Sequence, residues 1–424
     1  MSEKKIYDVC IVGAGPAGST CAFYLAQKGI IPVVLEKKEF PRDKICGDAF
    51  PQRAQTHLEK MGILQKLVEE KKGRWTAQGG LVSPRGIVYT GDSYTETKSH
   101  LVIAVKRKIM DDILIKTAVK AGSILVENYT VKEVSFVESK GYWSIHPKNV
   151  EKSVYYAKIL VLADGASSSI AQSLGIIKGP PQAVCSRSYV KAGTYKFEQD
   201  GIVVIPTNLV PGYCALLREA DDDLVFCCYI IPFGKSRNEN LYKIHHDLIE
   251  SNPYITEALG PNAELEEMKA APIRFGGTPK SYDNHLLIIG DAAGMIDPLT
   301  GEGLQYAMDA AEIAANVIID AFRINNFTKK FLQRYQKKWM KSFGKDFKWS
   351  IRMARFCTKH PIFFDAFASL SQKKGDKFMV EWGKIMTGSK RKLNFFLPKL
   401  AFPLVIETLR LKRKFKKDKK TQLP

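Results

Sequence analysis

Residues 6–48 read IYDVCIVGAGPAGSTCAFYLAQKGIIPVVLEKKEFPRDKICGD, and the reading of this stretch decides the fold. An apolar run over 6–12 has the composition of a buried strand and is followed by Gly13, Gly15 and Gly18. An alanine-rich helical pattern then runs to Gln27, stops at Gly29, and gives way to a second apolar run that closes on Glu36. This is a βαβ unit whose glycines permit a tight turn and close backbone approach to a pyrophosphate, held on free N–H groups at the helix N-terminus. Glu36 falls where a carboxylate accepts hydrogen bonds from adenosine ribose hydroxyls. A lone Gly-x-Gly-x-x-Gly is weak evidence. The strand before it, the helix after it and the acid closing the second strand together favour a dinucleotide site over a glycine turn kept only for packing.

The loop that follows, residues 40–51, is too rich in proline and charge for a regular element. Arg42, Lys44 and the backbone at Gly47 could reach a phosphate or flavin edge, or the segment is a solvated basic turn. Helical spacing returns over residues 54–70, and residues 73–94 have the glycine-punctuated alternation of β-hairpins. Arg107 opens an amphipathic helix, where a guanidinium could clamp a cofactor or sit in an exposed basic cluster; Asp111 and Asp112 are placed to complement that helix's dipole. Strands are expected over 125–145 and 154–163, the latter delivering Asp164-Gly165 into a turn that suits close cofactor packing.

Residues 180–275 are β-rich, with short strands at 182–192, 201–205, 213–218 and 224–231 and a helical period only at 241–248. Adjacent Cys227 and Cys228 point to opposite faces of a strand, which favours packing over a redox pair. A buried strand ending at Gly290-Asp291 then runs into Gly294, Asp297-Pro298 and Gly301-Glu302-Gly303-Leu304, ahead of a helix over 305–322. Asp291 would bind a polyol hydroxyl. The N–H groups of 301–304 would face the electron-poor end of a flavin and stabilise its reduced charge.

With 424 residues the chain is expected to divide into two or three subdomains. Its start lacks a secretory pattern and no window is apolar enough to span a membrane, so a cytoplasmic location is expected. Eight cysteines without paired spacing argue against a zinc site or a disulfide framework. The net charge of +20 is carried by the last quarter: residues 328–424 hold 27 Lys and Arg against 6 Asp and Glu, whereas the first 327 residues hold 37 against 38.

In their order and spacing, the Gly13/Gly15/Gly18/Glu36 unit, Arg107, Asp164-Gly165 and Gly290-Asp291 resemble the FAD-dependent flavoproteins of the para-hydroxybenzoate hydroxylase superfamily. More narrowly, residues 42–49 (RDKICGDA) and the run Gly290-Asp291-Ala-Ala-Gly294, Pro298, Gly301-Glu302-Gly303 resemble the geranylgeranyl reductase family, whose members saturate isoprenoid double bonds. The resemblance covers about residues 5–330. It implies an α/β fold with a Rossmann-like FAD-binding domain of the glutathione-reductase type (1–72, 97–178 and 277–327), an inserted antiparallel substrate sheet (73–96 and 179–276) and a basic helical C-terminal region (328–424).

It further implies roles for individual residues. Glu36 binds the adenosine ribose, Arg42 and Arg107 brace the ribityl-phosphate region, Asp291 holds the pyrophosphate or ribitol side, and Gly301–Gly303 lie at the isoalloxazine. Pro16, Ala17, Lys37, Gly290, Pro298 and Leu304 complete the cofactor lining, and Cys46 and Gly47 line the flavin face where substrate enters. Where many prenyl reductases read Gly-Tyr-x-Trp-x-Phe-Pro, this chain has Gly212-Tyr213-Cys214-Ala215-Leu216-Leu217-Arg218, an apolar but roomier pocket.

The expected reaction is hydride transfer from reduced FAD to a prenyl C=C bond, with Cys46 and Tyr213 as the candidates for catalytic roles. No second nucleotide fingerprint is apparent, so the reductant is NAD(P)H, a ferredoxin or another electron-donor protein. Rival readings are an FAD monooxygenase acting on an apolar substrate and a membrane-attached electron relay. The basic tail, with its apolar and polybasic run over 394–417, is expected to form an interfacial membrane anchor rather than a nucleic-acid site.

Overall fold

The computed structural model describes residues 4–93, 100–233 and 240–421, with side chains to 418. The end of the hairpin segment at 94–96 lies outside them, as does Met1 to Glu3. Five strands form a parallel core in the order Leu286–Ile288, Tyr155–Leu162, Ile6–Val12, Val33–Leu35 and Ile124–Val126. Both faces of such a sheet are covered, and its strands are accordingly uninterrupted apolar runs, with Ile11, Leu160 and Leu287 fully buried. Val12 pairs with Leu162 and Leu35, and Leu162 pairs with Ile288. The carboxyl ends of four strands therefore finish level, and the turns after them open into one crevice, where open α/β sheets bind ligands.

Residues 125–145, read as extended, resolve into Ile124–Val126, Val131–Val137 and Tyr142–Pro147, the last two antiparallel beside Tyr155–Leu162. Helices Pro16–Ala26 and Leu304–Arg323 pack together over this sheet. The helical stretch expected over 54–70 is two helices, Gln52–Lys60 and Leu64–Glu69. Gly62, at φ +68°, breaks it with a backbone conformation that side-chain-bearing residues avoid.

The second sheet has seven strands in the order Lys269–Ile273, Ala183–Val190, Leu224–Ile230, Tyr213–Arg218, Gly201–Val204, Gln78–Val82 and Val88–Asp92. All pairs are antiparallel except Gly201–Val204 with Gln78–Val82. The four strands read from sequence in this region are present; Lys269–Ile273 and helix Pro253–Leu259 escaped that reading. A small sheet of Ala49–Pro51, Val102–Ala104 and Arg74–Trp75 joins the two large ones.

After Phe327 the chain is helical: Lys329–Trp339, a π turn at Met340–Gly344, Lys345–Lys359, Ile362–Lys374, Asp376–Met386 and Pro398–Thr421. Among the described residues no helix is long and apolar enough to cross a membrane.

Candidate functional site: a cleft between the two sheets

The crevice lies between the carboxyl ends of the parallel strands and the face of the antiparallel sheet, and encloses about 1130 Å³ of space, part of it open to solvent. Its first element is the turn after Ile6–Val12. Gly13 has φ +101°, and a Cβ there would stand 2.4 Å from the Ala163 carbonyl oxygen; one on Gly18 would stand 1.9 Å from the Gly13 oxygen. Gly15 is different, because a Cβ on it would meet only Arg42 Nη2, at 3.9 Å. Gly13 and Gly18 thus serve backbone packing, and Gly15 keeps the cleft open in front of helix Pro16–Ala26. That helix has no side-chain cap, so its first N–H groups face a cleft lined by Gly15, Pro16 and Ala17.

Helix Leu304–Arg323 likewise begins uncapped at Gly303, with Gly301, Gly303 and Leu304 in the lining. Two helices present free donors and partial positive charge to the same space, and Gly165, open on its Cβ side, lines it between them. This arrangement fits an elongated anionic dinucleotide with its pyrophosphate at the first helix and its ring system at the second.

Charged side chains make the rim. Glu36 accepts from the Ala14 N–H (Oε2, 3.0 Å) and the Lys38 N–H (Oε1, 3.1 Å), and lies 3.4 Å from Arg42 Nη2. Asp111, which the sequence reading assigned to the helix dipole, instead binds two guanidinium groups. It accepts from Arg107 Nε and Nη2 at 2.7 and 2.8 Å, and from Arg42 Nη1 at 2.9 Å. Arg107 is 2% exposed, so it is no surface cluster; burial works against its charge, and Asp111 more than offsets this and holds it protonated. The Nε of Arg42 is buried without a hydrogen-bond partner among the described residues.

Residues 40–51 are not a solvated turn either. Lys44 reaches Asp291 at 2.7 Å, Arg187 on the antiparallel sheet holds Asp43, and the Tyr189 hydroxyl donates to buried Asp48. Burial raises the Asp291 carboxyl, but Lys44 prevails and keeps it below its ordinary range, so Asp291 stays ionised.

Asp164 is a half-buried carboxyl pushed up to about 6 by desolvation, accepting from the Ser168 hydroxyl, with Lys37 acting on it only through its charge from an exposed position. Gly290 lets helix Pro16–Ala26 approach, since a Cβ on it would come within 2.7 Å of the Ala17 methyl. Pro298 contributes its carbonyl to the Tyr229 hydroxyl. Of the residues expected at the cofactor, Gly13, Gly18, Glu36, Lys37, Arg42, Asp164, Gly290 and Pro298 stand behind or beside the lining, and the others form it.

The antiparallel wall is chemically unlike the first. Cys46, Cys185 and Cys227 line it with Tyr213, Tyr229 and Ile273. Burial raises the Cys46 thiol, and the Tyr213 phenol, raised well above its ordinary value by the same cause, is committed to the Thr300 carbonyl. Cys227 faces the cleft while Cys228 points away, towards Cys214 across the strand pair with sulfurs 3.2 Å apart and unbonded.

One residue that the sequence reading passed over as part of a glycine turn is Glu302. It lines the cleft, accepts from the Gln305 amide at 2.7 Å, and burial pushes its carboxyl up to about 7 against the pull of Lys392. A signal existed: a lone acid between two glycines before an apolar helix has no cation within helical reach. Lys392 itself was invisible, because it arrives from 90 positions along the chain to lie 3.3 Å from Asp297, at 1% side-chain exposure.

The sequence profile described as an FAD binding domain matches residues 6–337. The chain is 46% identical over 415 residues to conditioned medium factor receptor 1 of Dictyostelium discoideum, covering 96% of this chain and 81% of that one. It is 29% identical over 349 residues to the digeranylgeranylglycerophospholipid reductase of Methanocaldococcus jannaschii, covering 79% and 83%. In fold it resembles a geranylgeranyl bacteriochlorophyll reductase-like protein from Thermoplasma acidophilum, with TM-score 0.74, 19% identity and 87% and 91% coverage. The glycine turns, uncapped helices and charge-braced rim are thus those of a flavin site, and the chain belongs to the FAD-binding-domain family, as an FAD-dependent oxidoreductase.

Proposed function

We propose that the protein reduces carbon–carbon double bonds in the prenyl chain of a membrane lipid, with Glu302 as proton donor. FAD, when bound, supplies the hydride, and NAD(P)H or a ferredoxin restores its electrons. The carrying observation is the opposed tuning of the two carboxyls in the lining: Lys44 holds Asp291 below its ordinary range, whereas Glu302 pairs with no cation among the described residues and burial pushes it up to about 7, so that it can carry a proton near neutral pH. Two acids driven apart by their surroundings mark a division between holding charge and giving a proton.

Addition across an isolated alkene forms two C–H bonds as the π bond breaks, one from hydride and one from an acid. Gln305 orients the Glu302 carboxyl for the second. Tyr213 fixes the turn that carries it through Thr300, and the cysteine and tyrosine wall excludes water. Ala215, across from Cys227 in the register, stands on the same strand face as Tyr213 and leaves room for a branched isoprenoid.

The test is an anaerobic incubation of reduced holoenzyme with digeranylgeranylglyceryl phosphate in micelles, read by mass spectrometry. Gain of two hydrogens per bond supports the reading; gain of one oxygen, and only in air, replaces it with a monooxygenase. The receptor name of the 46% identical relative favours a second reading, a membrane flavoprotein whose work is binding or electron relay. That reading predicts rapid flavin turnover with a quinone and an unaltered alkene.

A further inference from the structure

Helix Pro398–Thr421 is apolar on two sides, and only one of them is covered. Leu400, Leu404 and Leu411 pack into the body, and buried Glu407 is held there by Ser369, Lys373 and Arg410. On the outer side Phe402, Val405, Ile406 and Leu409 are 67, 57, 50 and 52% exposed, at the i, i+3, i+4, i+7 spacing of a single helical stripe. The turn leading in adds exposed Leu393, Phe396 and Leu397. Seven of the fifteen large exposed hydrophobic residues among those described thus fall between positions 393 and 409. Such clustering marks an interaction site rather than ordinary surface.

The rim of this patch is basic. Lys399 precedes the stripe, exposed Lys412, Arg413, Lys414 and Lys416 follow it, and Lys345, Lys348 and Arg352 extend it around Trp349, whose ring packs on Phe396. Two copies meeting through this face would set like charges against each other. An anionic partner with an apolar interior satisfies both the stripe and the rim. Because the stripe runs along the side of the helix, the helix would lie flat.

We propose that this face docks on an anionic lipid bilayer. The turn it shares with the cleft gives the docking a purpose: Leu393 faces outward while the ammonium of neighbouring Lys392 reaches Asp297, in the loop that leads to Glu302. The cleft is therefore held beside the layer in which a prenyl lipid resides. Only this purpose rests on the lipid-reductase reading; the docking does not.

The experiment is co-sedimentation of FAD-loaded protein with vesicles of equimolar phosphatidylcholine and phosphatidylglycerol, free of prenyl lipid. Wild type should sediment with these and remain in solution with phosphatidylcholine alone. The triple variant Phe402→Ser, Ile406→Ser, Leu409→Ser, and separately Lys412→Gln, Arg413→Gln, Lys414→Gln, should each bind at least about tenfold more weakly with full flavin content. Three results overturn the proposal: wild type that ignores anionic vesicles, triple-variant binding equal to wild type, or light scattering that shows a dimer dispersed by the triple substitution. None of these touches alkene reduction in micelles, so the two readings fail separately.

Discussion

The two walls of the cleft are built on different principles. The parallel-sheet wall grips with main-chain donors and ion pairs: uncapped helix ends, Glu36 on the Ala14 N–H, Asp111 between two arginines and Lys44 on Asp291. The antiparallel wall carries thiols and phenols, with Glu302, its carboxyl pushed up to about 7 by burial, at its margin. A redox cofactor must be held through many turnovers, whereas a hydrocarbon chain can only be enclosed and kept dry. Fixed charge therefore collects on one side and apolar contact on the other.

The sharpest break of this contrast is Asp111→Asn, which leaves the Arg42 and Arg107 guanidinium groups without their shared counter-charge. A loss of about 3–5 kcal/mol is expected, with a lowered melting temperature and flavin lost on gel filtration. An unchanged melting curve would remove the charge-braced account of that wall. Glu302→Gln acts next, and its sign depends on pH. The folded carboxyl titrates at about 7 against an ordinary value of 4.5, so the folded chain keeps a proton that the unfolded chain releases. Stability linked to that proton is fully present below pH 4.5 and is lost as pH rises to 7. The glutamine variant should therefore match wild type at pH 4.5 and exceed it by up to about 3 kcal/mol above pH 7 in urea melts, while alkene reduction falls. Equal stability at both pH values would mean that Glu302 is ordinarily ionised.

Gly18→Ala is smaller. Its methyl would overlap the Gly13 carbonyl oxygen, and about 1–3 kcal/mol of destabilisation is expected, with flavin occupancy falling in the same preparation. Smallest is Tyr213→Phe, which deletes the bond to the Thr300 carbonyl at about 1 kcal/mol and should leave flavin content unchanged. Flavin loss here would move Tyr213 to the holding wall.

These walls differed in how readily they could be read from the chain. The first is local grammar: strand, three glycines, uncapped helix and terminal acid lie within about thirty residues, and periodicity with turn chemistry exposes them. Arg107 was placed at a helix start by the same means. Its partner was not, because Asp111 looks identical from sequence whether it serves a dipole or two guanidinium groups. Residues 40–51 could be recognised as irregular, but their clamps, Asp291 and Arg187, lie more than 140 positions away. Glu302 left only a faint mark in the chain, a lone acid between glycines with no cation within helical reach, because the desolvation that sets it apart is a property of the assembled cleft. The break at Gly62 shows the reverse failure, in which hydrophobic spacing continued across a backbone that could not.

The pairing of Lys392 with Asp297 also bears on how the protein is made. The cation that faces this buried carboxylate lies 95 residues further along the chain, so the loop that carries Glu302 is completed only after the helices that follow it have been made. A nascent chain released early would carry every glycine turn and yet hold Asp297 and Glu302 without their distant ammonium. Removing residues 392 onward as though they were a disposable appendage would take the cation from behind the loop that carries Glu302.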